Sequence, residues 1–171
     1  MQKVKLPLTV DPVRAAQKKL DYDGIIKAEL LERLAESTQS VTRDANVTLS
    51  FDLDQRRIAF MRGSADIEVM LTCQRCQEGF KHEYRVEFCY SPLLKPEAAD
   101  DLPEAYEPAD VDENGEINLI QIVEDELILE LPQVAMHEEA DCKASGNMTF
   151  GEIPVADERP NPFAVLKNLS K

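Results

Sequence analysis

Residues 46–53, 65–71 and 80–90 each alternate side chains between two faces, and no helix can satisfy that period. Val47, Leu49, Phe51 and Leu53 point one way, with Thr48, Ser50 and Asp52 opposite. Residues 54–57 read as a turn, 58–62 as a return strand, and Gly63-Ser64 as a second turn. Ala65, Ile67, Val69 and Leu71 make the next inward row. A further strand over 80–90 sets Phe80, Tyr84, Val86, Phe88 and Tyr90 on one face, with His82 in the same parity. Consecutive strands joined by short turns form an antiparallel meander, and one apolar face must be covered.

The cover comes from helices read on either side. Asp11-Pro12 supplies an N-cap followed by proline at the first helical position, which opens a helix over 12–20. Asp21-Tyr22-Asp23-Gly24 stops it, and a second short helix covers 27–36. Asn118 caps a third, which runs to about residue 130 with Leu119, Ile122, Val123 and Leu127 as its apolar stripe and Pro132 beyond its end. In this reading Glu124, Asp125 and Glu130 face solvent, and Glu126 lies at the stripe's edge. A short strand is expected over 3–8. The fold class is therefore α+β: an antiparallel β-meander sheet flanked by helices, with a long acidic loop. One domain spans 1–171. Within it, 91–116 is an acidic, proline-rich loop, and 143–171 is an irregular segment ending in a short helix.

Two strands of the meander meet at Thr72-Cys73-Gln74-Arg75-Cys76-Gln77-Glu78-Gly79-Phe80. Thiols two residues apart can chelate one metal ion from a tight turn or pair as a redox disulfide. A thioredoxin-like site places its Cys-x-x-Cys at the start of a helix, where the helix end lowers a thiol pKa, whereas here a strand follows. Zinc needs two more ligands, and His137 and Cys142 are the candidates, which gives the set Cys73, Cys76, His137 and Cys142. Cys89 falls on the polar parity of its strand and is left out. Reduced structural thiols, a metal site and a redox pair all stay open, in that order.

Charge is segregated. The net charge is −14, yet residues 96–142 hold sixteen carboxylates and no Lys or Arg, while the flanking segments nearly balance. A placed block of acid serves solvation or a basic partner. Asp100, Asp101, Glu104 and Glu107 are the candidate partner-binding residues in it. A general RNA binder needs Lys and Arg to neutralise phosphates, which argues against this chain as one. The local alternative is an arginine-bearing patch on the meander, comprising Arg56, Arg57, Arg62, Arg75, Lys81 and Arg85, against a bland reading of ordinary balanced surface charge. The Glu124-Asp125-Glu126 run offers carboxylates for Mg²⁺, but consecutive helical residues point apart. Catalytic triads and glycine-rich phosphate loops are missing, so the chain is read as a non-enzyme. No apolar run is long enough to span a bilayer, and the first residues lack a signal-peptide core. The expectation is a cytoplasmic protein with reduced thiols and no membrane contact.

The cysteine turn resembles the Cys-x-Arg-Cys signature of the bacterial YceD family. The likeness extends through Lys-Leu-Pro-Leu-Thr-Val-Asp-Pro-Val-Arg at 5–14, Leu-Pro-Glu-Ala-Tyr-Glu-Pro at 102–108, Val-Glu-Asp-Glu-Leu-Ile-Leu at 123–129 and Asn-Pro-Phe-Ala-Val-Leu at 161–166. The resemblance implies a role in the synthesis, processing or stability of large-subunit ribosomal RNA, with ribosomal or rRNA-processing proteins as partners. It supplies no catalytic mechanism. Relatives with a cysteine-rich segment near Asp141-Cys142-Lys143 suggest a fuller metal site than the one His and one Cys kept here.

Overall fold

A computed structural model describes residues 4–94, 102–144 and 151. Its elements in chain order are β1 (Val4–Lys5), β2 (Thr9–Val10), α1 (Pro12–Lys18), β3 (Asp21–Ile26), a 3-10 turn (Ala28–Leu30), α2 (Glu32–Ser37) and β4 (Ser40–Val41), followed by β5 (Ala45–Leu53), β6 (Ala59–Thr72), β7 (Gly79–Leu93), β8 (Glu107–Asp110), β9 (Ile117–Asn118) and α3 (Leu119–Leu129). Seven strands form the main sheet in the order β1-β3-β5-β6-β7-β8, with β4 also paired to β6, and β2 pairs with β9 apart from it. The β3-β5-β6-β7 pairings are antiparallel, while β1 and β8 join the two edges in parallel. The architecture is the expected mixed α+β with a mostly antiparallel sheet.

The cap signals operate as written. The Asp11 side chain accepts from the Arg14 N–H at 2.9 Å, and Asn118 accepts from Gln121 N–H at 3.1 Å. The inward rows of β5 and β6 are buried, from Val47, Leu49 and Phe51 to Ala65, Ile67 and Val69, and they share one core with Ala16, Leu34, Val123 and Leu127 of the helices. The three α-helices among the described residues therefore cover the same face of the sheet, and the other face keeps its polar side chains.

Four sequence expectations are corrected. Gly63-Ser64 makes no turn; β6 runs unbroken through it. Asp21–Ile26 is a strand and not merely a helix stop, because Gly24 and Ile26 alternate inward against β5. Residues 91–116 are not one long acidic loop. Residues 91–93 complete β7, Glu107–Asp110 pairs with it, and Asp112 folds the next turn by accepting from the Asn114 and Glu116 N–H groups, each at 2.8 Å. Glu124 does not face solvent; it is 5% exposed. Asp100 and Asp101 lie outside the described residues, as does almost all of 145–171, including the helix expected there. Among the described residues, no helix is long and apolar enough to cross a membrane.

Candidate metal centre

The inward parity of β6 continues past Leu71 into Cys73, which is completely enclosed. The chain then closes a knuckle: Cys73 N–H donates to Glu78 O and Gln77 N–H to Cys73 O, both at 2.8 Å. Gln77 takes a left-handed φ of 62° to return the backbone into β7. Cys76 lies half-buried at the tip of the knuckle.

The second arm comes from beyond α3. Residues 131–144 run back along the knuckle and are zipped to it by Gln74 N–H to Ala135 O at 2.8 Å and Arg75 Nη2 to His137 O at 2.6 Å. The His137 ring packs on Phe80, centroids 4.9 Å apart, and Lys143 pairs with Glu78 at 2.5 Å. Cys142 arrives buried beside Cys73, with the sulfurs 4.0 Å apart, and Cys76 Sγ lies 3.4 Å from His137 Nδ1. The ligand atoms of all four residues fall within 4.8 Å of one another. A tetrahedral zinc with Zn–S near 2.3 Å spaces its sulfurs about 3.7 Å apart, so the observed set needs little adjustment to close on an ion.

The environment of the cluster acts in opposite directions on two of its thiols. Burial opposes ionisation of Cys73, but the backbone N–H groups of Cys76, His137 and Arg75 outweigh it and bring that thiol down to about 5. Cys76 moves up. The Glu78 N–H would lower it, but burial and the sulfurs of Cys73 and Cys142 prevail. A first thiolate is thus stabilised while a second is resisted, a resistance that a bound divalent ion would remove.

The structure brings together Cys73, Cys76, His137 and Cys142, and Cys89 is not part of the group. Arg75 serves as the tie between the two arms, half-buried, with its Nε buried and without a partner. Glu104 and Glu107 are exposed on the approach to and start of β8. Of the meander cations, Lys81 pairs with Glu68 and Arg85 with Glu87, as balanced surface charge does. The Mg²⁺ candidates are already engaged: Glu124 and Asp125 hold Arg33, and Glu126 accepts from the Tyr90 hydroxyl. Sequence reasoning missed the contribution of Phe80 and Ala135 to the site. The parity of Phe80, first inward residue after the knuckle, was the available signal.

The family model of the Large ribosomal RNA subunit accumulation protein YceD matches residues 61–170 of this chain. A Haemophilus influenzae protein named Large ribosomal RNA subunit accumulation protein YceD is 53% identical over 173 residues, covering 100% of this chain and 99% of its own length. No solved structure matches the chain.

Proposed function

The chain belongs to the YceD family of large ribosomal RNA subunit accumulation proteins, and from that premise we propose that it is a cytoplasmic, non-enzymatic factor in ribosome biogenesis. It supports large-subunit ribosomal RNA by binding a basic ribosomal or rRNA-processing protein, on a scaffold clasped by one zinc ion. The observation behind this reading is the donor set. Three thiols and one imidazole within 4.8 Å of one another supply four donors, as many as a zinc shell made by protein alone would need. Such a closed shell is structural, since catalytic zinc keeps one position for water or substrate. The carboxylates that a Mg²⁺-dependent nuclease would use are committed to Arg33 and Tyr90. What remains is a folded acidic surface, and complementary charge on such a surface steers and selects a cationic protein.

Two measurements test it together. Purified protein is expected to contain about one zinc per chain, and Cys76→Ser to release it. Capture from lysate is expected to retain partners after nuclease treatment. Metal-free protein with four freely titrating thiols removes the clasp. Partners lost with the RNA would turn the reading toward direct RNA contact through the meander arginines.

A further inference from the structure

The uncovered face of the sheet carries a groove of about 730 Å³ whose rims come from two segments distant in the chain, β3 and the approach to β8. The strand registers draw its floor. Asp21 lies opposite Ser50, Ser50 opposite Arg62, and Arg62 opposite Cys89. One row further along, Asp23, Thr48, Ser64 and Glu87 follow one another across the same four strands. At the centre the Thr48 Oγ1 and Ser64 Oγ hydroxyls lie 2.9 Å apart, and Arg62 of β6 stands one row along from them. Asp21 and Asp23 stand along β3, and Glu104 and Glu107 face them from the approach to and start of β8. Asp21, Asp23 and Glu104 have no ion-pair partner among the described residues. Arg85 is held down by Ser64 Oγ at 3.0 Å and by Glu87.

We infer that this groove binds an extended, Lys/Arg-rich segment of a partner protein, lying across the strands with a cationic side chain at each acidic rim. The inference rests on the protein-partner reading above and gives it a site. Charge decides the occupant: the lining holds five carboxylates against two guanidiniums, which repels a phosphate backbone and attracts a cationic peptide. Dimensions decide its form. Four inter-strand spacings separate β3 from β8, about 19 Å. An extended chain of roughly six residues spans that distance. The site therefore takes basic residues about five apart, and Glu104 and Glu107 act with β3 and not as part of a free arm.

The probe is a labelled ten-residue Gly/Ser peptide with lysines at positions 3, 4, 8 and 9, read by fluorescence polarisation. A peptide with its four lysines contiguous and a uridine decamer are the comparisons. The spaced peptide is expected to bind best and to weaken with salt. Asp21→Asn with Asp23→Asn, and separately Glu104→Gln with Glu107→Gln, are each expected to reduce affinity about fivefold, as partly exposed rim charges do. Glu32→Gln with Glu36→Gln, exposed on α2, is expected to leave it unchanged. Equal losses from all three pairs, or tighter binding of the uridine decamer, overturn the groove as a peptide site. Lysate capture separates the two levels. Nuclease-resistant partners retained equally by wild type and both rim variants remove the groove and leave the protein-partner reading standing. A wild-type protein that keeps none overturns that reading, and the groove with it.

Discussion

The Glu124 carboxylate accepts two backbone N–H bonds from the first turn of α2, Arg33 at 2.8 Å and Leu34 at 3.2 Å, and pairs with the Arg33 guanidinium at 2.9 Å. The N-cap position of α2 is Leu31, which has no side-chain acceptor to offer. An acid ninety-one residues from Arg33 therefore caps the helix and places negative charge where its dipole favours it. Glu124→Ala leaves these donors unsatisfied at a buried position. The expected cost is about 2–3 kcal/mol, below that of a fully buried pair because the Arg33 side chain is 48% exposed. Glu124→Gln keeps one acceptor and is expected to lose less. Urea midpoints check both, and equal, negligible shifts would mean that water replaces the cap. Sequence could not reveal this residue, since a Glu in Val-Glu-Asp-Glu reads as solvated surface and its partner is distant in the chain. The clustering of Cys73, Cys76, His137 and Cys142 was legible for the opposite reason. With four Cys and two His in the chain, few sets have the right chemistry.

At the scale of elements, the cover of the sheet was readable and its continuity was not. Alternation placed the inward rows of β5, β6 and β7, and capping residues located α1 and α3. Gly63 misled because glycine before serine is a turn signal. Inside β6 its role is steric. It lies opposite Leu49 on one side and Phe88 on the other, and a Cβ there would meet the Phe88 ring and come within 2.8 Å of Leu49 Cδ2. The missing side chain admits the aromatic ring to the core. Gly63→Ala is expected to destabilise by about 1–3 kcal/mol through overpacking. Phe88→Leu is destabilising alone but is expected to be partly compensating beside Gly63→Ala, and the non-additivity in a double-mutant cycle measures the contact. Strict additivity would place the strain elsewhere. The strand character of Asp21–Ile26 was hidden too, because a short strand with Asp21 and Asp23 on its solvent face, paired to β1 only at Gly24 and Ile25, lacks a continuous hydrophobic signature.

For the whole molecule, the question is how much of the fold depends on the clasp. A crosslink from Cys76 to His137 closes a loop of about sixty residues, for which chain entropy alone suggests on the order of 4 kcal/mol. That figure assumes nothing else closes the loop. Here α3 is already tied to β7: the Tyr84 hydroxyl donates to Leu127 O at 2.8 Å, and that of Tyr90 to Glu126. Val123 and Leu127 belong to the common core. A bound ion would thus restrain only the short run from Leu131 to Cys142, and its contribution to global stability would fall well below the loop estimate. Chelation, or Cys76→Ser, is expected to leave the far-UV spectrum of the sheet nearly intact and to lower Tm by no more than roughly 5 °C, the equivalent of 1–2 kcal/mol in a chain this size. The local effect is expected to be large. The bonds Gln74 N–H to Ala135 O and Arg75 to His137 O open, Arg75 loses its anchor, and amide exchange and proteolysis rise selectively within 131–144. Cooperative loss of the whole sheet on metal removal would instead make the clasp part of the folding core. The tie between α3 and β7 would then be too weak to close the loop alone.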